Sequence, residues 1–198
     1  MCIKQKGGTA IKKKYVLLTA VIVVLVSIAY ILFFDKHPLV KSTNLQNESL
    51  AAICLMKQVD MSLLEKELGK LTNDKTYEKG IRGLEFDNPP YYAYVQVDKN
   101  NQVIGIYIGY PNKTSNTKFT TSRGIGSEYT FSDVLKAYGD NYVKKTYRDF
   151  MGSGDGYFIT YVDKEQNTSI EFEFNESNPY SDKKEEFLHY ITLKRLLD

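Results

Sequence analysis

Hydrophobic residues follow three successive patterns along this chain. The first is an uninterrupted run from Tyr15 to Phe34, YVLLTAVIVVLVSIAYILFF, which contains no charged residue. An α-helix rises about 1.5 Å per residue, so a helix of this length spans the roughly 30 Å hydrocarbon core of a bilayer. The run therefore predicts a transmembrane helix over residues 15–34.

The charges beside this run predict its orientation. Three lysines at positions 12–14 precede it, and residues 1–34 contain no acidic side chain. The positive-inside rule then keeps a basic tail, residues 1–14, in the cytoplasm. A cleavable signal peptide is the alternative, but its apolar region is shorter and ends in small residues, whereas residues 33–35 here are Phe-Phe-Asp. We expect an uncleaved signal anchor in the cell membrane, with the C-terminal domain on the extracytoplasmic side.

The second pattern is helical spacing. Residues 35–48 show no hydrophobic period and predict a linker. Hydrophobic residues then recur at helical spacing over residues 50–68, and Gly69 follows as a stop signal. One broken helix and two short helices both fit this stretch. Another short helix is predicted over residues 130–138, because a threonine cap opens it and Gly139 ends it.

The third pattern is strict alternation of hydrophobic with other side chains. It runs over residues 91–97 and again over 104–108, with a polar turn at 99–101 between them. Such a pair predicts a β-hairpin with one hydrophobic face. Further strands are predicted at residues 143–150, 157–163, 168–174 and 187–196.

Helix followed by antiparallel strands thus occurs twice. This order predicts an α+β domain over residues 49–198, with short helices packed on one face of an antiparallel β-sheet after the N-terminal transmembrane helix. Two tandem units at residues 49–118 and 119–198 fit the order. At this spacing an internal duplication and a chance repeat are equally compatible with the sequence.

Two short motifs in the second half carry a resemblance to a known family. They are TSRGI at 121–125 and SDVLKAYG at 132–139. Together they resemble the repeating unit of the β-lactamase-inhibitor-protein-like fold, which is shared with the small lipoprotein of the outer-membrane assembly machine. The resemblance covers residues 119–196. It implies helical hairpins on one side of an antiparallel sheet and an open second side, in a family that includes both inhibitors and assembly factors.

Charge and reactive residues limit the classes of function. Beyond residue 34 the chain has 21 basic and 24 acidic side chains, a mildly acidic balance that gives no case for nucleic-acid binding. His37 and His189 do not have the spacing of a metal site. Cys54 lies among hydrophobic residues and is best explained as a small core residue. We expect no catalytic residue, no metal and no cofactor, and hence no enzyme.

Tyrosine is the residue type that stands out. Fourteen of the sixteen tyrosines follow the hydrophobic run. Tyrosine is favoured in recognition surfaces because it offers a large area with few torsions to freeze, although its high strand propensity explains the abundance equally well. Alternation places one set of side chains on the sheet face opposite the helices, and these are the predicted contact residues: Tyr92, Tyr94, Gln96, Tyr107, Glu171 and Glu173.

These observations predict a membrane-anchored extracytoplasmic protein-binding module, such as an inhibitor or an immunity protein against a secreted toxin or enzyme. Its expected partners are the lipid bilayer, through residues 15–34, and an extracytoplasmic protein. No nucleic acid and no small-molecule cofactor are expected. The alternative is a structural or assembly accessory of the bacterial cell envelope.

Overall fold

The structure is a computed structural model that describes residues 21–24, 40–110, 119–148, 155–175 and 187–196. The chain divides into two compact units, Met1–Val40 and Lys41–Asp198. In the first unit, residues 21–24 are helical and their side chains are exposed. The second unit contains the folded domain.

The prediction of a membrane-spanning helix is contradicted. Residues 15–20 and 25–34 lie outside the described residues, and residues 21–24 are helical. Crossing the roughly 30 Å core of a bilayer takes about twenty helical residues. In the part of the chain that the structure describes, no helix is both long and apolar enough to cross a membrane. This finding overturns the predicted transmembrane helix, the signal anchor and the single-pass localisation in the cell membrane with an extracytoplasmic domain.

One eight-stranded antiparallel sheet dominates the second unit. A separate two-stranded ladder, β1 (Ser49–Leu50) and β2 (Ile53–Cys54), precedes it. The strands of the large sheet are β3 (Lys70–Thr76), β4 (Arg82–Asn88), β5 (Tyr91–Val97), β6 (Val103–Gly109), β7 (Val143–Arg148), β8 (Asp155–Asp163), β9 (Thr168–Asn175) and β10 (Phe187–Arg195). Their order across the sheet is β3-β4-β5-β6-β10-β9-β8-β7, so β3 and β7 are its edges and the β6–β10 pair is its centre.

Helices make up little of this unit. α1 (Met61–Leu68) begins at Asp60, whose Oδ1 accepts hydrogen bonds from the backbone N–H groups of Ser62 and Leu63. α2 (Phe131–Tyr138) begins with a capping box between Thr130 and Asp133. Side-chain caps of this kind satisfy backbone donors that have no partner inside the helix, and so they define where a short helix starts. A 3-10 turn, Glu78–Gly80, connects β3 to β4.

The predicted fold class is also contradicted. We expected a transmembrane helix and then short helices packed on one face of a sheet, whereas the described residues are mostly one large sheet with few and short helices. The helix expected over residues 50–68 is present only as α1, because residues 50–54 belong to the β1–β2 ladder. Two strands of the large sheet, β3 and β4, were not predicted. β3 is polar and almost entirely exposed, so it lacks the alternation that marks a half-buried strand.

The strand predictions fare better. The hairpin expected from alternation is confirmed as β5 and β6, with Ala93 opposite Ile108 and Val95 opposite Ile106. The remaining four strands lie within a few residues of the predicted bounds. A helix followed by four strands occurs twice, as α1 with β3–β6 and as α2 with β7–β10.

The hydrophobic core lies on one face of the large sheet. Alternate residues of the strands point into it. In β5, for example, Ala93 and Val95 are buried, whereas Tyr92 is exposed. α1 contributes Leu64 and Leu68 to the core. The two-residue period of a strand places the remaining side chains on the other face, which is called the open face below.

Residues 41–48, predicted as part of a linker, are hydrogen-bonded to the end of β8. The backbone N–H of Thr43 donates to the Val162 carbonyl at 2.8 Å. The N–H of Leu45 donates to Oδ2 of the buried Asp163, also at 2.8 Å. This segment therefore packs against the second half of the sheet.

Candidate functional site

The open face holds all six side chains that were predicted as a contact surface. Tyr92, Tyr94 and Gln96 come from β5, Tyr107 from β6, and Glu171 and Glu173 from β9. They belong to the alternate set whose neighbours along each strand are buried in the core.

β10 separates the tyrosines from the glutamates. In the register of the sheet, Tyr107 lies opposite Thr192, and Thr192 lies opposite Glu171. Two strand spacings amount to about 10 Å, so Tyr107 and Glu171 belong to one row across the sheet without touching. Tyr190 of β10 lies opposite Glu173 and adds a tyrosine that was not among the predicted residues.

Glycines on the open face make room for the tyrosine rings. A Cβ at Gly83 would lie 2.7 Å from Cε2 of Tyr77 and would also collide with the hydroxyl of Tyr94. At Gly109 it would lie 2.5 Å from Cε1 of Tyr190. Because glycine has no side chain, each ring can lie down along the neighbouring strand instead of standing away from the sheet.

The same arrangement occurs at Gly105 and Gly156. A Cβ at Gly105 would lie 3.1 Å from Cε2 of Tyr107, and one at Gly156 would lie 2.5 Å from the hydroxyl oxygen of Tyr147. Tyrosine rings therefore cover glycines on β4, β6 and β8. The open face thus combines aromatic rings, with hydroxyl groups at their ends, and the glutamates of β9.

Contacts on β5 and β6 hold the central tyrosines in place. The rings of Tyr94 and Tyr107 have centroids 5.4 Å apart and are tilted by 51°. The hydroxyl of Tyr107 donates a hydrogen bond to Oε1 of Gln96 at 3.1 Å. Tyr92, by contrast, is 46 % exposed. Side chains that are already ordered lose less entropy when a partner binds.

The hydroxyls of Tyr92 and Tyr107 remain protonated at neutral pH. Partial burial raises the pKa of Tyr107, and the charges of Tyr94 and Glu171 raise it further. Burial also raises the pKa of Tyr92, with Glu85 as the next cause. The ordinary pKa of tyrosine is about 10, so these hydroxyls are neutral donors and acceptors under physiological conditions.

The two predicted glutamates already have partners within the chain. The hydroxyl of Thr160 donates to Oε2 of Glu171 at 2.8 Å. The hydroxyl of Tyr147 lies 2.6 Å from Oε1 of Glu173. Their carboxylates are half-buried and oriented by these hydrogen bonds.

Several further residues of the open face were missed from the sequence, among them Tyr77, Glu85, Asp87 and Tyr190. Glu85 lies opposite Tyr94, and Asp87 lies opposite Tyr92. The alternation of Leu84 and Phe86 with these two acids was a signal that could have revealed β4. Tyr77 follows an exposed edge strand, and its place beside Tyr94 could not be inferred without the pairing of β3 and β4.

Reactive side chains do not gather in the described residues. No group of three or more His, Cys, Asp or Glu side chains among them could hold a metal ion. Cys54 is a half-buried free thiol on β2. His189 lies at the bulge of β10, with Nδ1 3.0 Å from the Tyr110 carbonyl oxygen. The expectation that this chain is not an enzyme stays a prediction.

An ion pair with one buried partner lies where residues 41–54 meet the TSRGI motif. Oε2 of Glu48, whose side chain is 2 % exposed, is 3.2 Å from Nε of Arg123. Arg123 also donates to the Ala137 carbonyl at 2.8 Å and stacks on the ring of Tyr138, 4.4 Å from its centroid. Oε1 of Glu48 accepts a hydrogen bond from the backbone N–H of Ser122 at 3.0 Å. These contacts join residues 41–54 to the end of α2, so the TSRGI motif has a structural role.

Comparison with protein-family models, curated proteins and solved structures gives no match for this chain. The resemblance of residues 119–196 to the β-lactamase-inhibitor-protein-like fold therefore stays a prediction.

Proposed function

We propose that this chain is a protein-binding module whose partner contacts the open face of the sheet. The observation that carries the proposal is the layer of tyrosine rings packed on glycines. Tyr77 and Tyr92, which are 42 % and 46 % exposed, offer large aromatic surfaces there. Exposed tyrosines at a fixed position are typical of protein recognition surfaces, since they bury much area at a small cost in entropy.

The composition of the open face supports a protein partner over a small molecule. Hydroxyl, amide and carboxylate groups alternate with aromatic rings across several strands. A specific protein interface buries about 800 Å² on each side, which a broad sheet face can provide. An inhibitor or immunity protein that captures a toxin or enzyme is the finer form of this proposal.

The proposal is tested by capturing a partner with the full-length chain and then measuring its affinity for surface variants. Tyr92→Ala together with Tyr107→Ala is expected to weaken binding by at least about tenfold, since tyrosines at interface centres are frequent hot spots. Charge reversal at Glu171 and Glu173 should act in the same direction. Circular dichroism and urea unfolding of each variant check that the fold is retained.

The matched control is Met56→Ala together with Leu63→Ala. These side chains are 41 % and 39 % exposed but lie in the β2–α1 region and not on the large sheet. The control variant should bind as the parent does. If the tyrosine pair and the control pair bind equally well, the open face is not the contact surface.

A further inference from the structure

Four carboxylates of the open face differ in their environment. Glu171 and Glu173 each have a hydroxyl partner, on Thr160 and Tyr147. Within the described residues, the carboxylates of Glu85 and Asp87 form neither a hydrogen bond nor an ion pair. Glu85 and Asp87 of β4 are therefore the carboxylates of this group that are free to bind a partner. Lys70 and Lys75 of β3 lie on the same face, opposite Asp87 and Gly83.

Tyrosine rings surround these two acids. Glu85 is opposite Tyr94 and Asp87 is opposite Tyr92 on β5, at a cross-strand distance where side chains touch. Gly83 lies on the same face of β4 as Glu85, two residues before it. The rings of Tyr77 and Tyr94 both lie on Gly83. Three aromatic rings and two carboxylates thus form one site, called the tyrosine-carboxylate site.

The ring faces and the free carboxylates of this site can bind a cation. The face of an aromatic ring is negative and attracts ammonium and guanidinium groups, and the attraction grows when a carboxylate lies beside it. The chain provides an internal example, because Nζ of Lys75 lies 5.3 Å from the centroid of the Tyr77 ring. Lys70 stands opposite Asp87 in the register, yet the two form no ion pair within the described residues.

We infer that the tyrosine-carboxylate site receives an arginine side chain presented by the protein partner. This inference rests on the proposed function, since it names the chemistry that the open face recognises. Arginine fits better than lysine, because its planar guanidinium can stack on a tyrosine ring and bond a carboxylate in the same plane. The partner surface is therefore basic at the point where it meets β4 and β5.

The test uses the full-length chain and a short peptide containing a single arginine, with the citrulline peptide as its uncharged isostere. Binding is followed by NMR shifts and by tyrosine fluorescence, which no tryptophan masks in this chain. The arginine peptide should bind, and its affinity should fall at higher salt. Glu85→Gln with Asp87→Asn should weaken binding by about tenfold or more, as expected for the loss of charge-assisted hydrogen bonds.

Two controls separate this site from general attraction to acidic side chains. Glu65→Gln with Asp140→Asn removes two exposed carboxylates that lie outside the open face, on α1 and just after α2, and should leave the affinity unchanged. Tyr92→Phe keeps the ring and should retain binding, whereas Tyr92→Leu should lose it. Equal affinity for the arginine and citrulline peptides, or equal losses in the two carboxylate pairs, would overturn the inference.

Failure of this inference can be told apart from failure of the proposed function. If the captured partner still depends on Tyr107 and Glu171 but the arginine peptide does not bind, the open face remains the contact surface and the arginine site is wrong. If the peptide binds β4 and β5 while the partner ignores every open-face variant, the arginine site stands and the proposed function is wrong.

Discussion

At the scale of single residues, the buried tyrosines divide by what their hydroxyls contact. The hydroxyl of Tyr110 donates to the Phe119 carbonyl at 2.6 Å, and that of Tyr161 donates to the Gly139 carbonyl at 2.8 Å. The hydroxyl of Tyr138 is buried near Thr121 and Glu48 and forms no hydrogen bond of good geometry among the described residues. A buried polar group without a partner costs free energy, whereas a satisfied one contributes to stability.

Replacing each hydroxyl tests this division. Tyr110→Phe should lower the free energy of unfolding by about 1 kcal/mol, because the Phe119 carbonyl loses its donor inside the core. Tyr138→Phe should leave the stability unchanged or raise it, since the ring and its contact with Arg123 remain. Urea unfolding of the full-length chain measures both. An equal loss in the two variants would show that the Tyr138 hydroxyl has a partner after all.

At the scale of elements, α1 and α2 each end at a glycine in a conformation that other residues rarely adopt. Gly69 has φ 101° and ψ −168°, and Gly139 has φ 87° and ψ −174°. The backbone N–H groups of these glycines donate to the carbonyls of Glu65 and Leu135, which closes the last turn of each helix. Both glycines were predicted as helix stops, because the hydrophobic period ends just before each of them.

The two glycines should differ in how badly they tolerate a side chain. Gly139→Ala should cost about 1–3 kcal/mol from backbone strain alone, because no atom lies within 4 Å of the added Cβ. Gly69→Ala should cost more, because its Cβ would collide with the Asp87 carbonyl oxygen on β4. Thermal and urea unfolding report the difference. A smaller loss at Gly69 than at Gly139 would contradict the close approach of α1 to β4.

Element predictions succeeded where the signal was local. The hairpin of β5 and β6 alternates visibly, and the caps of α2 can be recognised within four residues. The edge strand β3 has no such signal, since its side chains face solvent on both sides. Its strand conformation comes from pairing with β4, a contact between distant backbone groups that side-chain alternation does not encode.

At the scale of the whole molecule, one sheet joins the two helix-and-strand units. The last strands of the two helix-and-strand units, β6 and β10, pair at its centre. The open face and the core therefore each extend across both helix-and-strand units. Buried tyrosines belong to this shared core, among them Tyr110 from the first half and Tyr138 and Tyr161 from the second.

These tyrosines should limit the stability of the whole fold at high pH. Burial raises the pKa of Tyr110, Tyr138 and Tyr161. In the unfolded chain they ionise near the ordinary value of about 10, whereas in the folded chain they stay protonated. Below about pH 10, these three tyrosines should add nothing to the pH dependence of the free energy of unfolding. Above that pH, they should make the free energy of unfolding fall as the pH rises.

Urea unfolding at a series of alkaline pH values measures this limit. Tyrosinate absorbance, followed in the same samples, should show the exposed tyrosines ionising first and the buried ones only on unfolding. The ordinary pKa of tyrosine is about 10. A free energy of unfolding that stays constant well above that pH would contradict the burial of these three tyrosines.

The residues of the open face were predicted only in part from the sequence. Alternation in β5, β6 and β9 identified Tyr92, Tyr107 and Glu171 as members of the face opposite the core, because the two-residue period is a property of each strand by itself. It could not show that Thr160 and Tyr147 would bond the predicted glutamates. It also omitted Glu85 and Asp87, since β4 had not been recognised.

The amino-acid sequence by itself determined the local features: the glycine stops of both helices, the capping residues, the β5–β6 hairpin and the alternating strands of the second half. Each depends on residues close together in the chain. Only the tertiary structure decided the order of the eight strands, the pairing of β6 with β10, the tyrosine rings on glycines and the free carboxylates of β4. Those features depend on contacts between residues far apart in sequence, whose register is set by the packing of the whole sheet. The long hydrophobic run predicted a membrane helix on local grounds as well, and the described structure did not support it.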